Sequence, residues 1–156
     1  MSEYVDGISL QALVARDGPR DLGALVRLGV GTAAALGAIH RSGIVHRDFK
    51  PSNVLLAADG PRVIDFGIAK ALDETTATTS GLIGTPAYMA PEQFSGERAG
   101  PEADMWAWAV TMVFTATGRP AFGADSLPAV MHRVLNGAPD LAGVPAPLRP
   151  LVTACL

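Results

Sequence analysis

His46, Arg47, Asp48, Lys50 and Asn53 place five ionisable or strongly polar side chains in the eight-residue run HRDFKPSN, within a chain that is 49% apolar. Asp48 and Asn53 are an acid and an amide five positions apart, and a second acid, Asp65, follows 17 positions after the first. Carboxylate and amide oxygens, with few nitrogen or sulfur ligands, suit a hard octahedral cation such as Mg²⁺. That ion typically binds through one or two protein groups together with substrate phosphates. Lys50, between the two, can neutralise phosphate charge.

Such a set works only if the chain folds Asp65 back onto the 48–53 loop. Two β-rich runs, 54–56 and 62–64, flank Asp59-Gly60, a strong tight-turn signal, and predict a hairpin that does so; it is the only sheet expected. The other elements read as helices. Residues 8–16 form a short amphipathic helix ended by Asp17-Gly18-Pro19, and Leu22, Leu25, Ala33, Leu36 and Ile39 recur at helical spacing in a long helix running into His40. Pro101 opens a uniformly apolar helix to about Thr117, closed by Gly118 and Pro120, and this should be the central buried element. Leu127, Val130, Met131, Val134 and Leu135 form a further stripe, with Asp125 or Ser126 as cap, Pro128 in the first turn and Gly137 beyond the end. A last helix starts near Leu148. Residues 71–86 hold hydroxyl side chains with little periodicity and read as a long loop, functional or mobile. The expected fold is mainly α with a small β hairpin.

The bulk properties exclude several classes. At 156 residues, 17% charged and net charge −3, the chain suits one globular domain and carries no basic run to attract nucleic acid or an anionic membrane. Its N-terminal MSEYVDGISL has acids where a signal peptide has positive charge. Residues 22–39 carry Arg27 and four glycines, and 105–117 is too short to span a bilayer, so both are expected as buried helices. The single cysteine, Cys155, excludes an internal disulfide and is expected to be buried; a reducing, cytoplasmic setting fits.

HRDFKPSN at 46–53, DFG at 65–67, GTPAYMAPE at 84–92 and Asp104 ahead of an apolar helix together resemble the large lobe of a protein Ser/Thr kinase, of the eukaryotic-like type found in bacteria. The resemblance implies ATP and Mg²⁺ as cofactors and protein Ser/Thr hydroxyls as acceptors. It implies that Asp48 accepts or orients the substrate hydroxyl proton, that Asn53 and Asp65 hold Mg²⁺, and that Lys50 contacts the transferred phosphate. By the same likeness His46 braces the loop, Arg47 pairs with a phosphorylated activation loop, and Asp104 accepts hydrogen bonds from the catalytic-loop backbone. EYVD at 3–6 resembles the hinge, whose backbone at Glu3 and Val5 would meet the adenine edge, with Leu55 as the apolar floor. Thr78 and Thr79 match phosphorylation positions, Thr85 sits where Ser/Thr preference is set, and Glu92 matches an acid that pairs with an arginine further on. Phe49 for the commoner leucine, and MWAWAV after Asp104, are conservative apolar departures.

The likeness spans the whole chain as part of a kinase domain: hinge 1–7, large lobe 8–156, truncated at the C-terminal end, α+β when the full domain is present. No glycine-rich loop or strand lysine precedes the hinge, so the isolated chain is expected to be inactive. Two other readings share some of these residues: a non-catalytic binding or regulatory lobe, and a small-molecule phosphotransferase with an HxDxxxxN loop. Lys50, Gly67 and GTPAYMAPE favour the protein kinase.

Overall fold

The computed structural model describes residues 7–65 and 85–156. In chain order these form β1 (Ile8–Ser9), α1 (Leu10–Asp17), α2 (Leu22–Arg41), β2 (Val54–Ala57), β3 (Gly60–Val63), α3 (Pro91–Phe94), α4 (Pro101–Thr117), α5 (Leu127–Asn136) and α6 (Arg149–Ala154). Single 3₁₀ turns at Pro51–Asn53 and Pro86–Tyr88 precede β2 and α3. The fold is mainly helical with one small antiparallel sheet.

Local chemistry sets the boundaries. Ser9 accepts from the N–H of Ala12 and Asp21 from that of Ala24, starting α1 and α2. Pro101 occupies the first turn of α4, and Gly118, at φ 78°, closes it by donating its N–H to the Phe114 carbonyl. Of the two candidate caps for α5, Ser126 is the one used.

α4 is the axis of the core. Twelve of its residues are buried, and α2 lies against it where Gly29 lets the backbones approach: a Cβ there would sit 3.2 Å from Met112 Cε and 3.4 Å from Trp108 Cζ2. Trp108 donates its indole N–H to Thr32 Oγ1 at 2.9 Å, and Thr32 in turn donates to the Leu28 carbonyl at 2.7 Å, so this contact buries no unpaired polar atom. Leu25, Leu36, Val110 and Val113 fill the seam at 0–1% exposure. Each such side chain contributes about 1.5–3 kcal/mol. α2 is long and apolar enough to cross a membrane by length and composition; here it packs on α4 and on the sheet.

The structure corrects the sequence reading at the sheet. The expected hairpin is present, β2 pairing β3 with Ala57 opposite Gly60, but a third strand joins it: Ile8 and Ser9, read from sequence as the start of a helix, pair antiparallel with Leu56 and Leu55. The reason is local crowding and capping. Gly7 passes so close to β2 that a Cβ would lie 2.9 Å from the Leu56 carbonyl oxygen, and Ser9 must stay extended to cap α1. α3 was also not expected.

α2 rests on β3 through Gly31, where a Cβ would fall 2.5 Å from Pro61 Cγ. Gly→Ala in a helix ordinarily stabilises by about 1 kcal/mol. Here overpacking, about 1–3 kcal/mol, opposes that gain, and the register of β2 with β3 holds Pro61 in place. We expect Gly31→Ala to lower the denaturant midpoint with unchanged m-value; a raised midpoint would mean that Pro61 moves aside.

Arg133 clamps the loop before α5, donating Nη1 and Nη2 to the two Asp125 oxygens at 2.7 Å each and Nη1 also to the Phe122 carbonyl. The guanidinium holds the Asp125 carboxyl well below the usual carboxylate range. A depressed folded value adds stability above the unfolded carboxylate pKa of about 3.9, lost as pH falls through the folded value. The stability gap between wild type and Asp125→Asn should therefore be constant at neutral pH and close under acid; acid unfolding curves with a pH-independent gap would refute this.

Candidate active site

Asp104 organises the site from below. It lies in the first turn of α4, where the helix dipole favours a negative charge, and is 1% exposed. Its Oδ2 accepts the backbone N–H of His46 at 2.8 Å and Oδ1 that of Arg47 at 2.8 Å, while His40 Nε2 stands 2.7 Å from Oδ2. Arg47 is held at φ 65°, a left-handed conformation that a non-glycine residue adopts at an energetic cost. The bond from its N–H to Asp104 offsets that cost.

His46, fully buried, joins this loop to the sheet. Its Nε2 lies 2.9 Å from the Ile64 carbonyl oxygen and its Nδ1 accepts from the Asp48 N–H at 3.2 Å. A carbonyl only accepts and an amide N–H only donates, so the ring is the neutral tautomer with its proton on Nε2. Phe49, 1% exposed, meets the ring edge-on at 5.9 Å, which accounts for an aromatic residue at that position.

Two further bonds gather the working residues. Asn53 Nδ2 donates to the Asp48 carbonyl at 2.8 Å, and the Asn53 carbonyl accepts from the Ile64 N–H at 2.9 Å. Asn53, Ile64 and the 46–48 segment are thus tied together, with Asp65 directly following Ile64, exposed and at φ 56°. The amide bond fixes Asn53's rotamer and leaves Oδ1 as the oxygen available to a ligand. Lys50 Nζ bridges Thr85 Oγ1 at 3.0 Å and Asp48 Oδ2 at 3.3 Å. Leu55 stands half-buried on β2.

Among the described residues no cluster of three or more His, Cys, Asp or Glu side chains assembles for a metal. The set here is two carboxylates and an amide, the oxygen-only donor chemistry that Mg²⁺ accepts alongside phosphate oxygens. Tyr88, beside Asp48 and Thr85 in the wall of a cavity of about 10 Å³, has its phenol pushed above the usual range by burial. That volume holds at most about one water. Glu92 is half-buried and makes no ion pair among the described residues. Cys155 is half-buried, and burial raises its thiol pKa. Glu3, Val5, Thr78 and Thr79, and most of the 71–86 loop, lie outside the described residues.

Two contributors were not singled out from sequence. His40 follows Leu36 at helical spacing on the face of α2 that also buries Thr32, and nothing in the sequence marks it as facing an acid rather than water. Gln93 accepts from the Ala90 N–H at 2.9 Å and reaches the Arg47 carbonyl at 3.4 Å; nothing in its spacing marks it.

Removing the Asp104 carboxylate leaves two backbone N–H groups and an imidazole without their acceptor. Breaking a buried charged network in this way typically costs about 3–5 kcal/mol. Asp104→Ala should lose that much in equilibrium denaturation; a loss under about 1 kcal/mol would mean that water replaces the carboxylate.

Residues 1–145 match the family model described as the protein kinase domain. The chain is 48% identical over 153 residues to a probable serine/threonine-protein kinase, PkwA, of Thermomonospora curvata, covering 97% of this chain and 21% of that protein. It is 45% identical to the serine/threonine-protein kinase AfsK of Streptomyces coelicolor, covering 98% of this chain and 19% of that protein, and 47% identical to AfsK of Streptomyces griseus, with the same coverage. The chain spans about a fifth of the length of these curated relatives.

Proposed function

The chain belongs to the protein kinase domain family, and from that premise we propose that it is the catalytic lobe of a Ser/Thr protein kinase that transfers the γ-phosphate of ATP, with Mg²⁺, to protein hydroxyls. What supports the reading is one set of bonds: Asn53 to the Asp48 carbonyl, Ile64 to the Asn53 carbonyl, and His46 to the Ile64 carbonyl. These tie the backbone of the 46–48 segment, Asn53 and the residue before Asp65 to one another.

In this reading Asp48 orients the incoming Ser or Thr hydroxyl and takes up its proton, a contribution of the general-base kind. Lys50, held between Asp48 and Thr85, supplies positive charge to the transferred phosphoryl group. Asn53 Oδ1 and the Asp65 carboxylate would hold Mg²⁺, which when bound neutralises charge on the β- and γ-phosphate oxygens. Leu55 would face the adenine ring, with the Glu3 and Val5 backbone along its edge. Thr85, through its hydroxyl bond to Lys50, ties the catalytic loop to the segment on which a peptide acceptor would lie. A kinase drawing on cellular ATP would work in the cytoplasm.

The test uses the full-length protein that contains this chain. Wild type should phosphorylate a generic basic-protein substrate on Ser or Thr in the presence of MgATP, and EDTA should abolish transfer. Asp48→Asn should lower kcat by about 10²–10⁴ with little change in the KM for ATP. A wild-type protein that transfers no phosphate, or an Asp48→Asn variant as active as wild type, would sink the proposal.

A further inference from the structure

We infer that the trough between α1, the first half of α2 and the β2–β3 turn is a docking site for a partner-protein segment that carries acidic residues next to apolar ones. It shares no residue with the phosphoryl-transfer set, and its test needs no phosphate transfer, so it stands or falls apart from the kinase reading.

The inside of the trough is apolar. Leu10 and Leu28, 1% and 7% exposed, lie beneath half-buried Leu13, Leu56 and Pro61, around a cavity of about 290 Å³. Successive side chains of a strand point to opposite faces, so Leu56 enters this space from the face of β2 opposite to that of Leu55. With water occupying about 30 Å³ per molecule in the liquid, the cavity has room for on the order of ten, against walls that are largely carbon. Apolar groups displace such water favourably. Ligand pockets typically enclose about 300–1,000 Å³, so this one takes one or two apolar side chains rather than a whole cofactor.

The charges stand at the mouth. Arg20, half-buried, and Arg27, exposed, line the trough at the start of α2, and neither makes an ion pair among the described residues. The neighbouring acids are engaged elsewhere. Arg16 donates Nε and Nη2 to the two Asp17 oxygens at 2.7 and 2.8 Å, Asp21 accepts from the Ala24 N–H, and Asp59 accepts from Arg62 at 2.7 Å. The chain as a whole carries −3, so two such cations on one apolar rim are a local exception that favours an acidic partner. The occupant follows from this split. It needs apolar groups inside, carboxylates outside and a link that continues past the mouth, which a polypeptide segment supplies.

The probe is a fluorescein-labelled peptide, acetyl-Gly-Glu-Glu-Leu-Leu-Gly, followed by fluorescence anisotropy with the full-length protein that contains this chain. Replacing both leucines by alanine, or both glutamates by lysine, should weaken binding about tenfold or more, and added salt should weaken the parent peptide. Ala24→Phe, which fills the trough from α2 and keeps both charges, should also cost about tenfold. The Arg20→Glu/Arg27→Glu variant should exchange the preference, taking the lysine peptide over the glutamate one. If either variant does not fold, Arg27→Glu alone decides, since that side chain is exposed: a tenfold loss supports the inference and wild-type binding overturns it. No binding of the parent peptide by wild type overturns it, as does equal binding by wild type and the folded double or Ala24→Phe variant. Octanoate displacing the peptide at equal concentration would make the trough a small-molecule site, and a dimer, seen by sedimentation, that Arg27→Glu dissociates would make the occupant a second copy; either result also overturns the inference.

Discussion

A single carboxylate inside an apolar helix is the constraint on which the site depends. Desolvating the Asp104 charge costs several kcal/mol, and three donors converging on it offset that cost: two backbone N–H groups of the catalytic loop and the imidazole of His40. Because those donors come from separate elements, their joint satisfaction fixes the elements relative to one another. The packing of α2 on α4, through Gly29, Trp108 and Thr32, then has a purpose beyond burial. It sets the distance from which His40 can reach an acid on the next helix.

His46 is the second constraint, and it works between loop and sheet. One face of its bonding reads the Asp48 N–H, the other the Ile64 carbonyl at the end of the hairpin. The ring can make both bonds only when neutral, so its position and its protonation state are set together. With the Asn53 bonds, it makes the hairpin a lever that carries Asp65 to the loop. β1 adds a third strand on the far side of β2, so the lever is not an isolated two-stranded hairpin, which would be marginal in water.

How much of this could be read in the sequence follows from how local each cause is. Pro101 and Gly118 delimit α4, Ser126 and Gly137 delimit α5, and Asp59-Gly60 places the hairpin, because capping and turn chemistry act within a few residues. The density of polar groups at 46–53, and the return of Asp65 toward them, were legible for the same reason. β1 was not, because two residues carry no periodicity and their partner strand lies far along the chain. His40 was missed because its partner is 64 positions away, and a histidine ending a helix looks the same whether it faces water or a buried acid. Gln93 was invisible because an amide beside a loop carbonyl leaves no pattern.

The arrangement separates groups that position from groups that act, and the separation is electrostatic. Asp104, His46 and Asn53 are at most 5% exposed. In that low-dielectric setting each hydrogen bond is stronger and each alternative geometry would strand a polar atom, so the loop has one favourable conformation. Asp48 and Lys50 retain side-chain exposures of 20% and 23%, and Asp65 is open to solvent. In the proposed reading these are the groups that exchange protons, phosphate charge or a hydrated cation, and such groups need that access: their charges stay solvated until a ligand replaces the water. Were the order reversed, with dry working groups and wet supports, the charges would be costly without ligand and the loop would wander. The burial gradient from Asp104 to Asp65 is thus what lets a loop with a left-handed residue at Arg47 hold Asp48 still while leaving its carboxylate reachable.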